Sequence, residues 1–262
     1  MSAVILQDEI VHYEVLGRGR PLFFLHGWVG SWRYWIPSMQ AASISYRAYA
    51  IDLWGFGDSA KNPAKYGIYQ QVSLLNDFLE KMGIGKIALV GHGLGAIVAL
   101  IFAMQYPASV DRVMAISLPM GNGTLNARLH SESPAGLAEW LFGRLPAADA
   151  ARGEVSKTDA QAINTSLEYL DHNNWAEQAG RVATPCLFVH GTNDPAVTAP
   201  RPEDLSYLPE QAHQISFEQS GHFPMLDEAS KFNRLLADFL ALPSGESPRQ
   251  LQLKEEWKRR VR

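Results

Sequence analysis

Two short segments, Val189-His190-Gly191-Thr192-Asn193-Asp194 and Ser220-Gly221-His222-Phe223, each place a chemically active side chain just past an apolar run. A carboxylate bonded to one imidazole nitrogen fixes the ring's tautomer and stabilises its charged form, leaving the other nitrogen to take a proton; Asp194 and His222 could therefore form a general base. Upstream, Val90-Gly91-His92-Gly93-Leu94-Gly95-Ala96 lies between an apolar strand and a buried helix, the placement of a nucleophile elbow. Its apex is Gly93. Glycine has no side chain to attack a substrate, so covalent catalysis from this position is excluded. The backbone reason for glycine is plain: an elbow apex is held at positive φ, which glycine adopts without steric cost.

Two more loops complete the set. His26-Gly27-Trp28-Val29-Gly30-Ser31 follows the apolar run Leu22 to Leu25, and its backbone N–H groups can face a ligand. Asp52-Leu53-Trp54-Gly55-Phe56-Gly57-Asp58-Ser59 follows the next run, and Asp52 is expected to bond backbone amides there, a structural role. Trp28, Trp32, Trp35, Trp54, Phe56, Phe223 and Met225 flank these loops, with Trp140 and Phe142 farther along, so the ligand expected is a small apolar or aromatic molecule. No other residue replaces the missing nucleophile. His92 precedes the apex and should point away from the pocket, Cys186 begins a buried strand at the far end, and Ser31 is a weak candidate. His12, His130, His172 and His213 stand outside any motif and read as surface or packing residues. A water in the space of the absent hydroxyl, activated by His222, is the remaining hydrolytic route.

The elements that must hold these loops are legible from periodicity. Glu9 to Leu16 alternates, and the Gly17 to Pro21 turn leads into Leu22 to Leu25, which predicts a hairpin feeding a buried strand. Ala48 to Leu53, Lys86 to Val90, Val113 to Ser117, Cys186 to His190 and His213 to Phe217 read as further strands. Ile68, Val72, Leu75, Leu79 and Met82 recur at helical spacing, Leu94 to Gln105 reads as a buried helix, and Ser230 to Leu240 as an amphipathic one. Repeated βα units imply an α/β fold with a mostly parallel central sheet flanked by helices. Residues 1–118 and 182–242 form the expected core, 119–181 a helical cap insertion, and 243–262 a polar tail with six Lys/Arg against three Glu.

With five such elements in this order, the chain resembles the α/β-hydrolase superfamily over residues 9–241, in the group of esterases, C–C hydrolases, haloperoxidase-like enzymes and epoxide hydrolases. The resemblance implies that His26, Gly27 and Trp28 belong to an oxyanion loop, that Asp194 and His222 are the triad acid and base, and that the N–H groups of Trp28 and Leu94 form the oxyanion hole. His26, Gly27, Trp32, Trp54, Phe56, Trp140 and Phe223 are the expected pocket residues. Gly93 departs from the family pattern. The chain is then either a hydrolase-type protein acting through water, a ligand-binding pseudoenzyme, or a serine hydrolase whose serine was replaced by glycine. A dinucleotide-binding reading of Gly91-His92-Gly93-Leu94-Gly95-Ala96 also exists, but no acid ends the following strand and the motif falls too late in the chain.

Bulk properties agree with a small-molecule protein. A chain of 262 residues, 47% hydrophobic, can bury one large core. A formal charge of −4 offers no concentrated basic face, so no nucleic acid is expected. The single cysteine excludes an intramolecular disulfide and a multi-cysteine metal site. No cofactor or metal is expected, nor a membrane span, and a cytoplasmic location suits the cysteine usage.

Overall fold

The computed structural model describes residues 2–120, 123–171, 173 and 175–253; His172 and the basic residues from Lys254 onward lie outside them. Eight strands make one sheet: β1 (Ser2–Leu6), β2 (Glu9–Leu16), β3 (Arg20–Leu25), β4 (Tyr46–Ile51), β5 (Ile87–His92), β6 (Val110–Ile116), β7 (Cys186–Gly191) and β8 (Ala212–Phe217). Their spatial order is β1-β2-β4-β3-β5-β6-β7-β8. β2 runs antiparallel to both β1 and β4, and every other pair is parallel. The mostly parallel sheet follows from composition: Leu22–Leu25 and the whole of β5 and β7 are buried, as strands covered by helices on both faces must be.

Three helices precede β6: α1 (Ile36–Ala42), α2 (Ile68–Met82) and α3 (Leu94–Gln105). α3 is buried throughout from Leu94 to Ala103, which its almost unbroken apolar sequence requires. Between β6 and β7 the described chain carries the short helices α4 (Arg128–Ser131), α5 (Pro134–Phe142), α6 (Asp149–Arg152), α7 (Ala160–Asp171) and α8 (Trp175–Gly180). α9 (Pro202–Leu205), α10 (Pro224–Asp227) and α11 (Ala229–Ala241) follow. No helix among the described residues is long and apolar enough to cross a membrane.

The expected hairpin between Glu9–Leu16 and Leu22–Leu25 does not form. β4 lies between β2 and β3, and the tight hairpin joins β1 to β2 instead. Its turn is Gln7-Asp8, both at positive φ (49° and 63°), a pair that lacks the usual glycine signal. Gly17 serves the packing of β4 and not a tight turn: any side chain there would strike the carbonyls of Ser43 and Tyr46, each 2.4 Å from its Cβ position, where the chain enters β4.

The chain passes from β3 to β4 on one side and then to β5 on the other. The loops after β3 and β5 therefore flank the crevice where the winding reverses, the usual ligand position in an open α/β sheet. Strand and helix approach very closely at this point. A Cβ on Gly95 would stand 2.3 Å from the Leu25 carbonyl oxygen, so the β3, β5 and α3 backbones can meet only at glycine.

Arg112 on β6 is 1% exposed and fastens the end of α11: its guanidinium donates to the carbonyls of Phe239, Leu242 and Pro243 and pairs with Asp111. Arg112→Met keeps the apolar stem but strands these carbonyls. Urea unfolding should show a loss of about 2–4 kcal/mol; a loss below about 0.5 kcal/mol would contradict the role assigned to Arg112.

Candidate active site

Asp194 and His222 meet at the C-terminal ends of β7 and β8. His222 Nδ1 lies 2.8 Å from Asp194 Oδ2 and 3.0 Å from Oδ1, with both side chains 2% exposed or less. The carboxylate also accepts the N–H groups of Ala196 (2.8 Å) and Val197 (3.0 Å). Burial would raise its pKa, but the charge and hydrogen bond of His222, with those two amides, prevail and hold it at about 2. An ionised acceptor places the ring proton on Nδ1. Nε2 has no hydrogen-bond partner among the described residues and is free to accept a proton.

The backbone of His222 is held from the elbow. His92 Nε2 donates to the His222 carbonyl at 2.8 Å, and Ser117 Oγ donates to the same oxygen at 3.3 Å. His92 Nδ1 in turn accepts from the Tyr34 hydroxyl at 3.1 Å, and that hydroxyl accepts the Gly27 N–H at 2.5 Å. One chain of bonds thus runs from the oxyanion loop through the elbow to the histidine loop. Burial and the neighbouring His222 hold the pKa of His92 well below its ordinary value, so it remains neutral, as a ring with one donor and one acceptor partner must. The His92 ring does not turn away from the site as its place in the sequence suggested: it packs against the rings of His222 and Phe223, with centroids 4.5 Å and 4.8 Å apart. Tyr34 and Ser117 had no sequence signal, although Ser117 stands at φ 50°, an uncommon conformation for a residue other than glycine.

Gly93 has φ 51° and ψ −113°, and its N–H donates to the Ile116 carbonyl. The N–H groups of Gly95 and Ala96 are likewise bonded, to His26 and Gly93 carbonyls. The Leu94 and Trp28 N–H groups meet no acceptor among the described residues, so both remain available to a ligand oxygen. The Trp28 indole borders the apex: a Cβ on Gly93 would lie 2.9 Å from Trp28 Cζ3 and 3.0 Å from Cε3. The indole is fully buried, lies nearly parallel to the His222 ring with centroids 6.3 Å apart, and donates through Nε1 to Ser166 Oγ on α7 at 3.0 Å.

The structure divides the expected pocket residues. Phe223 packs against His92 (4.8 Å), His222 (5.0 Å) and, from α5, Phe142 (4.6 Å), and so adjoins the dyad. His26 turns away into the protein. It is fully buried, donates to the Gly27 carbonyl and accepts the Leu53 N–H, and so braces two loops rather than lining a pocket. Phe56 packs edge-on against His26, and Trp54 is fully buried beneath Lys65, its backbone bracketed by Gln71. Trp32 stacks with Arg33 and adjoins His12, and Trp140 lies beneath Arg128. A cavity of about 680 Å³ opens farther out, lined by residues such as Pro134, Ala138, Glu139, Arg152 and Val155; neither dyad residue lines it.

Asp52 is structural, as expected, and its partner is a histidine that sequence reasoning left aside. Asp52 accepts from the Trp32 and Asp58 N–H groups and from His12 Nδ1 at 2.9 Å. His12 is buried rather than superficial. Burial would lower its pKa, but the hydrogen bond and charge of Asp52, with Asp58 and Glu14, raise it. His12, Asp52 and Asp58 also bring possible metal ligands within 4.8 Å of one another. Lys157 already neutralises Asp58 at 2.9 Å, however, and every Asp52 oxygen is engaged. Cys186 is buried core, and burial pushes its thiol pKa up.

Burial also lowers the pKa of His26, His190 and, less enclosed, His213, as it does His92. An unfolded histidine titrates near 6.5, so below that pH the unfolded chain gains protons that these folded rings refuse. Their contribution is present above pH 6.5 and is lost as the pH falls. His12 works in the other direction: its contribution is complete below pH 6.5 and is lost as the pH rises through its raised folded value. Stability measured by urea unfolding should therefore peak near neutrality, with the acid limb steeper than the alkaline one. A flat profile between pH 5 and 7 would contradict these assignments.

Comparison with known proteins was consistent with this geometry. The family model described as "Alpha/beta hydrolase family" matches residues 22–235. A protein of Stutzerimonas stutzeri named "Putative carbamate hydrolase RutD" is 27% identical over 261 residues, covering 90% of this chain and 98% of its own. An esterase of Exiguobacterium antarcticum matches with a TM-score of 0.81 at 18% identity, over 92% of this chain and 99% of its own. An enol-lactonase of Burkholderia xenovorans matches with a TM-score of 0.79 at 19% identity, over 92% of this chain and 100% of its own. At these identities the structural matches speak for the fold alone.

Proposed function

This chain belongs to the alpha/beta hydrolase family, and from that premise we propose that it hydrolyses a carbonyl bond of a small apolar or aromatic substrate without forming a covalent intermediate. The observation that carries the proposal is the Asp194–His222 pair, complete at 2.8 Å, beside two backbone donors with no internal acceptor. The dyad and the donors supply a base and an oxyanion site, and the base needs only a water to act on.

The water approaches Nε2 of His222, the ring nitrogen that Asp194 leaves free. Its oxygen bonds to the carbonyl carbon, its proton passes to His222, and the oxygen anion rests against the Trp28 and Leu94 N–H groups. The proton then passes to the leaving group as the tetrahedral species collapses. An ester fits this scheme, and so does a carbamate, the bond in the name of the Stutzerimonas relative. Asp194 keeps the ring oriented and offsets its charge.

A second reading is favoured by one feature, the absence of any side chain at the Gly93 apex: a pocket that binds its ligand and performs no chemistry.

The test is turnover of aryl esters and aryl carbamates by the protein as it stands, with a fluorophosphonate probe alongside. Slow, burst-free turnover that falls at least about a hundredfold in His222→Ala and in Asp194→Asn, with no probe adduct, is expected. A stoichiometric adduct on the unaltered chain, or turnover indifferent to His222→Ala, would refute water activation. Retained ligand binding with no turnover on either substrate class would establish the second reading.

A further inference from the structure

The loop after β3 is hydrogen-bonded at its two ends. At its start His26 accepts the Leu53 N–H with its ring and the Gly95 N–H with its carbonyl, and the Gly27 N–H is bonded to Tyr34. At its far end the Trp32 N–H is bonded to Asp52. Between these points no backbone N–H or carbonyl of residues 28–30 makes a hydrogen bond among the described residues. The peptide of Trp28 is therefore placed through its side chain, whose Nε1 donates to Ser166 Oγ on α7. We infer that Ser166 is a positioning residue that sets where the Trp28 N–H stands, resting on the reading above of that N–H as an oxyanion donor.

The donor and acceptor capacities of the two groups fix the direction of this bond. An indole has one N–H and no acceptor, so it needs an acceptor placed opposite Nε1. The Ser166 hydroxyl spends its single proton on the Ile163 carbonyl at 2.7 Å, a bond that serine commonly makes within a helix, and turns a lone pair to Nε1 at 3.0 Å. Neither side chain has exposed surface, and a donor buried without a partner is costly, so the indole is held to this acceptor.

Ser166 is itself fixed from both directions along α7. Ahead of the helix, the Asp159 N–H donates to the Gly55 carbonyl at 2.8 Å and its carboxylate accepts the Tyr66 hydroxyl at 2.6 Å. Ala162, one turn before Ser166, lies so close to the loop after β4 that a Cβ on Gly55 would stand 2.4 Å from its own. One turn after Ser166, the Tyr169 hydroxyl donates to that of Tyr69 on α2 at 3.0 Å. The acceptor of the indole is thus anchored to the core. A backbone donor stabilises a developing oxyanion only at hydrogen-bond distance, and small displacements of positioned groups are costly in rate. Ser166 therefore acts on the carbonyl oxygen of the substrate without touching it.

Labelling the full chain with ¹⁵N-tryptophan gives a backbone and an indole signal for Trp28, assigned by their loss in Trp28→Phe, with the fully buried Trp35 and Trp54 as internal controls. In Ser166→Ala both Trp28 signals should move by more than those of Trp35 and Trp54. A backbone signal that stays in place while the indole signal moves would overturn the role of Ser166. Should Ser166→Ala not fold, Ser166→Cys, with its weaker acceptor, is judged by the same criterion. Where the chain turns over an aryl ester, kcat should fall about tenfold or more in Ser166→Ala with KM changed less than about twofold. Ser166→Ala should add nothing to the loss in Trp28→Phe, and losses that multiply would overturn the pairing. Phenyl methylphosphonate, a tetrahedral anion, tests the underlying reading separately. If it leaves the Trp28 backbone signal of the unaltered protein unmoved, the oxyanion reading falls, while the Ser166→Ala spectrum still decides whether Ser166 sets the position of that peptide.

Discussion

A buried hydrogen bond from His92 Nε2 to the carbonyl of His222 joins two loops that are far apart in the sequence and must be registered within a fraction of an ångström for any chemistry to occur. Through Tyr34 the same imidazole reaches the Gly27 N–H, so the oxyanion loop is registered by the same chain of bonds. A neutral ring can donate at one nitrogen and accept at the other, and burial keeps His92 neutral. A protonated His92 would lose its acceptor function toward Tyr34 and place a charge against His222. The closeness of β3, β5 and α3 at Gly95, and the buried strands around them, serve to keep this bond dry and short.

The elbow apex has a close neighbour in Trp28: a Cβ on Gly93 would lie 2.9 Å from the indole, whose Nε1 donates to Ser166 on α7. One residue thus borders the elbow and ties the loop after β3 to the helical segment between β6 and β7, as close packing of an interior requires of its large side chains.

Much of this was legible in the sequence. The buried strands and α3 followed from unbroken apolar runs, and α2 and α11 from helical spacing, since a sheet covered on both faces leaves little choice of pattern. Asp194 and His222 were visible because each lies in the loop after a strand, and Gly93 because it stands between β5 and α3. The β1–β2 hairpin was not visible: Gln7-Asp8 has none of the glycine that marks such turns, while the glycines at 17 and 19 suggested a hairpin where β4 intervenes. Side-chain direction was the other limit. Nothing in the local sequence of His12 told that it would face Asp52, forty positions away, and His26 stood in a motif that suggested a pocket while its ring braces the loops from behind. Trp28 was expected through its backbone, and its side chain proved to matter as much.

The most direct measurement of the central claim, an assembled Asp194–His222 base beside an apex with no nucleophile, is the imidazole spectrum of the unaltered protein labelled with ¹⁵N-histidine. A His222 Nδ1 proton far downfield, lost in Asp194→Ala, is the result the account predicts. A His222 ring protonated on Nε2 instead, or a spectrum unchanged by Asp194→Ala, would contradict it.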